Sequence, residues 1–140
     1  MAAIGLFQKG DNIFYAKVID GDLYKLKGDI FGAPSFQKTP IPKKGFRTLV
    51  PVQPSKIIAV GLNYADHAKE SGMEPPPEPI MFSKFTSAII GPGETIVLPE
   101  ESEEPDYEVE LVIVIGEGGR HISEANAMDH VFGYTVGHDV

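Results

Sequence analysis

The sequence predicts a mainly β protein with short helices: a small N-terminal β domain and connector over residues 1–51, then a second β-rich unit over 52–140. Three observations carry that expectation. Two strand-like segments, Asn12–Asp20 and Gly21–Lys27, meet at an Asp20-Gly21 turn that favours a hairpin. Prolines at 34, 40, 42, 51 and 54 break the stretch Gly32–Pro54 into an extended connector. Beyond it, the run from Glu108 to Ile115 alternates acidic with apolar and then turns fully apolar, the period of a strand entering a core.

The boundary between the two units is expected near Pro51–Ser55. Lys56–Val60 reads as a short apolar strand leading into Gly61-Leu-Asn63. Asn63 suits a helix N-cap, Tyr64–Ser71 two helical turns and Gly72 their stop. Glu74-Pro-Pro-Pro-Glu-Pro79 excludes helix and central strand and reads as a stiff surface loop. A strand over Ile80–Lys84 follows, then a turn at Gly91-Pro-Gly93, then Thr95–Leu98 and an acidic loop up to Tyr107. Gly116–Gly119 ends the Glu108–Ile115 strand, Ser123 caps a helix over Glu124–Val131, and Gly133 opens a last strand, Tyr134–Val140. No turn or capping residue follows, which predicts a truncated polypeptide.

Composition narrows the function classes. The 140 residues are 42% hydrophobic and 23% charged, as in a soluble globular protein. A formal charge of −8 argues against nucleic-acid binding, which needs Lys and Arg on phosphates. Without cysteine there are no disulfides, thiolate metal sites or Cys nucleophile. The first residues lack the pattern of a signal peptide, and no run is long enough to span a bilayer, so a cytoplasmic location is expected.

Seven acidic residues occupy the eleven positions 100–110. Glu108 and Glu110 fall on one face of their strand, roughly 7 Å apart, with Val109, Leu111, Ile113 and Ile115 on the other. Two ionised carboxylates at the mouth of a core need a countercharge. Oxygen donors without His or Cys suit Mg²⁺ or Mn²⁺ better than zinc. The alternative is a solvated strand edge bearing two charges. A third ligand is needed: Asp139 beside His138 leads, with Asp106 and Asp129 competing. His67 and Glu70, three apart, share a helix face, the spacing of a general-base dyad, though the pattern alone favours an exposed ion pair. Asp66 and Lys69 read as a solvated face, and His121, His130 and His138 as turn or packing histidines. Lys84 ends a strand, either to bind an anionic substrate or as a plain surface lysine.

Five ordered motifs, Ala59-Val-Gly-Leu-Asn-Tyr-Ala-Asp-His67, Pro79-Ile-Met-Phe-Ser-Lys84, Gly91-Pro-Gly93, Asp106-Tyr-Glu-Val-Glu-Leu111 and Gly133-Tyr-Thr-Val-Gly-His-Asp139, resemble the fumarylacetoacetate hydrolase family over about residues 52–140. Residues 1–50 are similar to the small N-terminal β domain of many bacterial members. The resemblance implies a mixed β-roll of which 52–140 is the first half, with the C-terminal half absent. It implies Glu108, Glu110 and Asp139 as ligands of Mg²⁺ or Mn²⁺, with Ca²⁺ as an alternative, and His67 and Glu70 as the catalytic dyad. Lys84 is assigned to substrate. The implied reaction is hydrolysis of a C–C bond in acylpyruvate-like 2-oxo acids through a metal-stabilised enolate. Decarboxylation or isomerisation of oxaloacetate or 2-hydroxyhepta-2,4-diene-1,7-dioate type substrates is the nearest alternative, and a homodimer is the implied assembly. A rival from another class is a noncatalytic metal-binding or interaction module whose acidic patch takes Ca²⁺ or a basic partner.

Overall fold

The computed structural model of the chain describes residues 3–140. Its N-terminal part is a six-stranded antiparallel sheet. Strands β1 (Ala3–Lys9), β2 (Asn12–Ile19) and β3 (Asp22–Lys27) form a meander, with β6 (Arg47–Leu49) beyond β1 and the two-residue strands β4 (Ser35–Phe36) and β5 (Ile41–Pro42) both on β3. The β2–β3 turn falls where Asp20-Gly21 predicts it, with φ of 49° and 84°, the left-handed pair a tight hairpin demands. The expected extended connector is corrected here: β4, β5 and β6 lie inside it. Each is too short to show a period, and each is defined by its pairing with a longer strand.

Alternation on the meander places Phe7, Phe14, Ala16 and Leu23 on one face, packed with Val18, Ile41 and Phe46. Lysine stems cover the rim of this small core. The Lys25 ammonium stands 4.8 Å from the Phe14 ring centre, Lys9 5.4 Å from Phe46 and Lys43 5.6 Å from Phe7, so each amine stays wet while its methylenes shield aromatic surface.

Past residue 50 the structure is two ribbons and one short helix. Strand β7 (Ile57–Gly61) pairs antiparallel with β8 (Ile80–Lys84), Ile57 opposite Lys84. Between them lies α1 (Ala65–Glu70), which buries only Ala68. Tyr64, not Asn63, is its N-cap: Leu62 takes up the bend at φ 50° and the helix starts one residue later than predicted. The C-terminal end is as expected. Gly72 sits at φ 65°, and the amide of Met73 returns to the carbonyl of Ala68 at 2.9 Å. Strand β9 (Val109–Ile115) pairs antiparallel with β10 (Val131–His138). The segment before β10 is a 3-10 helix over Glu124–His130, preceded by Ser123 without a side-chain cap bond. Thr95–Leu98 lies outside regular structure.

Two contacts tie the sheet to the later ribbons. Phe31 meets Phe132 edge-on with ring centres 4.8 Å apart. Arg47 of β6 pairs with Glu94, whose second carboxylate oxygen accepts the Gly91 amide at 2.7 Å. The expectation that β9 runs into a core is corrected. Among the described residues the buried hydrophobic side chains are Leu6, Phe7, Phe14, Ala16, Leu23, Ile30 and Ala68, none of them on β9 or β10.

Candidate active site

Strand geometry assembles the candidate carboxylates. In the β9–β10 register Gly137 faces Glu110 and His138 faces Val109, and the Asp139 amide donates to the Glu108 carbonyl at 2.9 Å. Residues directly opposite in an antiparallel pair share a face. Glu108, Glu110 and Asp139 therefore occupy three corners of one patch, with Gly137 at the fourth. A Cβ at Gly137 would come 2.8 Å from Val112 Cγ2, so that corner is kept free of a side chain. Asp106 and Asp129, the competing third ligands, fall outside this ribbon. Asp106 accepts the amide of Tyr107 at 2.7 Å, and Asp129 belongs to the 3-10 helix.

The carboxylate of Asp139 is already engaged. Lys84, at the end of β8, places its ammonium 2.5 Å from Asp139 Oδ1, with both side chains partly buried. This ion pair links β8 to the end of β10 and brings together two residues 55 positions apart in sequence. Among the described residues no three His, Cys, Asp or Glu side chains converge as a metal-binding group. At one corner Asp139 is paired with Lys84 instead. The donor type of the patch is the kind a hard divalent cation takes. Its donors are all carboxylate oxygens, its fourth corner is bare backbone, and one of its members already holds a positive charge.

The proposed dyad is less assembled. His67 and Glu70 lie on α1 and both are exposed. The ion pairs among the described residues are Arg47–Glu94 and Lys84–Asp139, so the two side chains share a helix face without touching. His130 holds the carbonyl of Glu117 through Nδ1 at 2.8 Å, the packing role expected of it. Sequence reasoning overlooked Tyr64, whose hydroxyl accepts the Leu111 amide of β9 at 3.1 Å. An open cleft lined by Lys27, Phe36, Gln37, Lys38 and Thr39 contains none of the candidate residues.

The sequence profile described as fumarylacetoacetate (FAA) hydrolase C-terminal matches residues 56–140. The chain belongs to the fumarylacetoacetate hydrolase family. A fumarylacetoacetate hydrolase domain-containing protein 2 homolog of Dictyostelium discoideum is 53% identical over 100 residues, 71% of this chain and 33% of that protein. A mitochondrial oxaloacetate tautomerase of Homo sapiens is 52% identical over 101 residues, 71% of this chain and 32% of its own length. Among solved structures, the 2-hydroxyhepta-2,4-diene-1,7-dioate isomerase of Mycobacterium marinum superposes with a TM-score of 0.85 at 31% identity, covering 99% of this chain and 54% of that one. The 5-carboxymethyl-2-hydroxymuconate delta-isomerase of Mycobacterium smegmatis gives 0.84 at 34% identity, covering 99% of this chain and 54% of that chain. This chain thus spans about a third of the curated relatives and about half of the solved ones. Membership of an enzyme family and the mainly β fold agree with the sequence reading. The expected cytoplasmic location is corrected, because the bovine and human tautomerases are mitochondrial by name. Lack of a secretory signal pattern, on which that expectation rested, says nothing about import into an organelle.

Proposed function

We propose that this chain forms part of an enzyme that moves a proton between the enol and keto forms of a 2-oxo dicarboxylic acid, of the oxaloacetate or 2-hydroxydienedioate class. The observation that supports it is the β9–β10 register, with Glu108, Glu110 and Asp139 at three corners of one face and Gly137 at the fourth. These carboxylates would hold Mg²⁺ or Mn²⁺, and such an ion supplies Lewis-acid polarisation of the 2-oxo group. Lys84, already beside the patch on Asp139, pairs with a carboxylate of the substrate. His67 carries the proton to or from the carbon next to the 2-oxo group. Glu70, one helical turn along, orients the imidazole and steadies its protonated form. Tautomerisation consumes no water and breaks no C–C bond. The names of the human tautomerase and the Mycobacterium marinum isomerase favour it over the C–C hydrolysis implied by the family resemblance.

Product analysis tests this. Enol oxaloacetate, an acylpyruvate and a 2-hydroxydienedioate are each incubated with the protein, with and without a chelator. Ketonisation or isomerisation is expected, and is lost with chelator and in Glu108→Ala. His67→Ala is expected to keep Mn²⁺ binding and lose turnover by roughly 10²- to 10⁴-fold, the range of general acid–base catalysis. Release of pyruvate from the acylpyruvate with no effect on the enol would restore the hydrolytic reading. Cation binding with every 2-oxo acid left untouched would make the chain a binding module.

A further inference from the structure

Tyr64 joins the two halves of the candidate site through its two ends. Its carbonyl accepts the Ala68 amide at 3.1 Å and so opens α1, the helix that carries His67 and Glu70. Its hydroxyl accepts the Leu111 amide at 3.1 Å, on the strand that carries Glu110 and begins directly after Glu108. The two residues are 47 positions apart in sequence.

Geometry explains why this amide is available. Asp139 donates to the carbonyl of Glu108, so on β9 the amides and carbonyls of Glu108 and Glu110 turn toward β10, while those of Leu111 turn away. The outward edge of β9 has no neighbouring strand within the described residues, since its sheet is the β10–β9 pair. The phenol oxygen fills the place that a strand's carbonyl would take, at the residue immediately after Glu110. On the helix side, Leu62 holds the left-handed conformation, φ 50°, that delivers Tyr64 to this position. Such a conformation is strained for a non-glycine residue and persists where neighbouring contacts fix it.

We infer that Tyr64 is a positioning residue: its side chain sets the distance from the proton-carrying helix to the carboxylate strand, so that losing one hydroxyl misplaces His67 relative to the cation patch. This rests on the tautomerase reading for its catalytic consequence but not for its structural one. A misplacement of the order of 1 Å is enough to slow a positioned proton transfer greatly, while leaving cation and substrate binding to groups that have not moved.

Tyr64→Phe removes the oxygen and keeps the ring. In the full-length protein, kcat for ketonisation is expected to fall roughly tenfold or more, with KM and Mn²⁺ affinity within about twofold of the parent. In parallel, the Leu111 amide should lose protection from hydrogen exchange, and the His67 ring resonances should shift in the same variant. Those two readouts do not depend on turnover. A parent protein that converts no 2-oxo acid defeats the functional reading, and the clamp is then decided by Leu111 exchange and the His67 resonances alone. Unchanged kcat in an active protein, or a His67 environment unmoved when Leu111 loses protection, overturns the inference. A matching loss in Mn²⁺ affinity overturns it too, because the hydroxyl would then be supporting the fold of β9 rather than its spacing from α1.

Discussion

At the residue scale, the ion pair between Lys84 and Asp139 decides how the carboxylate patch meets a cation. An ammonium 2.5 Å from Oδ1 and an incoming divalent ion compete for the same oxygen. Since both side chains are about a third exposed, the pair is worth at most about 1 kcal/mol. Lys84→Met is therefore expected to tighten Mn²⁺ binding roughly two- to fivefold, read by calorimetric titration, while weakening binding of a dicarboxylate. Weaker Mn²⁺ binding in that variant would mean that Lys84 organises the patch rather than competing for it. The candidate residues themselves were legible from alternation and helical spacing. Their partners were not: nothing local to Lys84 or Tyr64 announces a contact with Asp139 or Leu111, because those contacts exist only once separate ribbons are brought side by side.

At the scale of elements, α1 illustrates what local sequence determines. Gly72 was readable as its stop because only a residue free of a Cβ adopts φ 65° cheaply, and a Cβ there would meet nothing within 4 Å. The cost of replacing it is thus conformational rather than steric. Gly72→Ala is expected to destabilise the fold by about 1 kcal/mol and Gly72→Asn by less, measured as the shift in the urea midpoint. Equal losses in the two would place the cost elsewhere. Strand β8 coincides with the predicted Ile80–Lys84, and β2 and β3 fall within a residue or two of their predicted limits, because apolar runs bounded by turn residues carry their own signal. Strands β4 to β6 do not. Two or three residues have no period, and the prolines around them argue for a connector until β3 and β1 offer an edge to pair with.

At the scale of the molecule, the described structure exposes 11214 Å² to water, where a compact monomer of its 15.2 kDa exposes about 7100 Å². Of the exposed large hydrophobic side chains, all but Ile13, Ile19 and Phe31 lie beyond residue 57. On the face of β9–β10 opposite the carboxylates, Val109, Leu111, Ile113, Ile115, Tyr134 and Val136 are each more than half exposed. The alternation predicts a core-facing strand, but among the described residues none of the side chains on that face is buried. A polypeptide of these 140 residues is expected to bind a hydrophobic dye strongly, and Leu111→Lys with Ile113→Lys should abolish most of the fluorescence gain. Weak dye binding by the parent would mean that the face is covered in solution. The N-terminal sheet, by contrast, closes its own core around Phe7, Phe14 and Leu23. Its attachment to the ribbons combines one charged link, Arg47–Glu94, with one aromatic link, Phe31–Phe132. Added electrolyte screens the first and, when the anion is sulfate or phosphate, reinforces the second. A junction built from both kinds loses grip on one side as it gains on the other, so the sheet should stay docked from dilute buffer to concentrated sulfate.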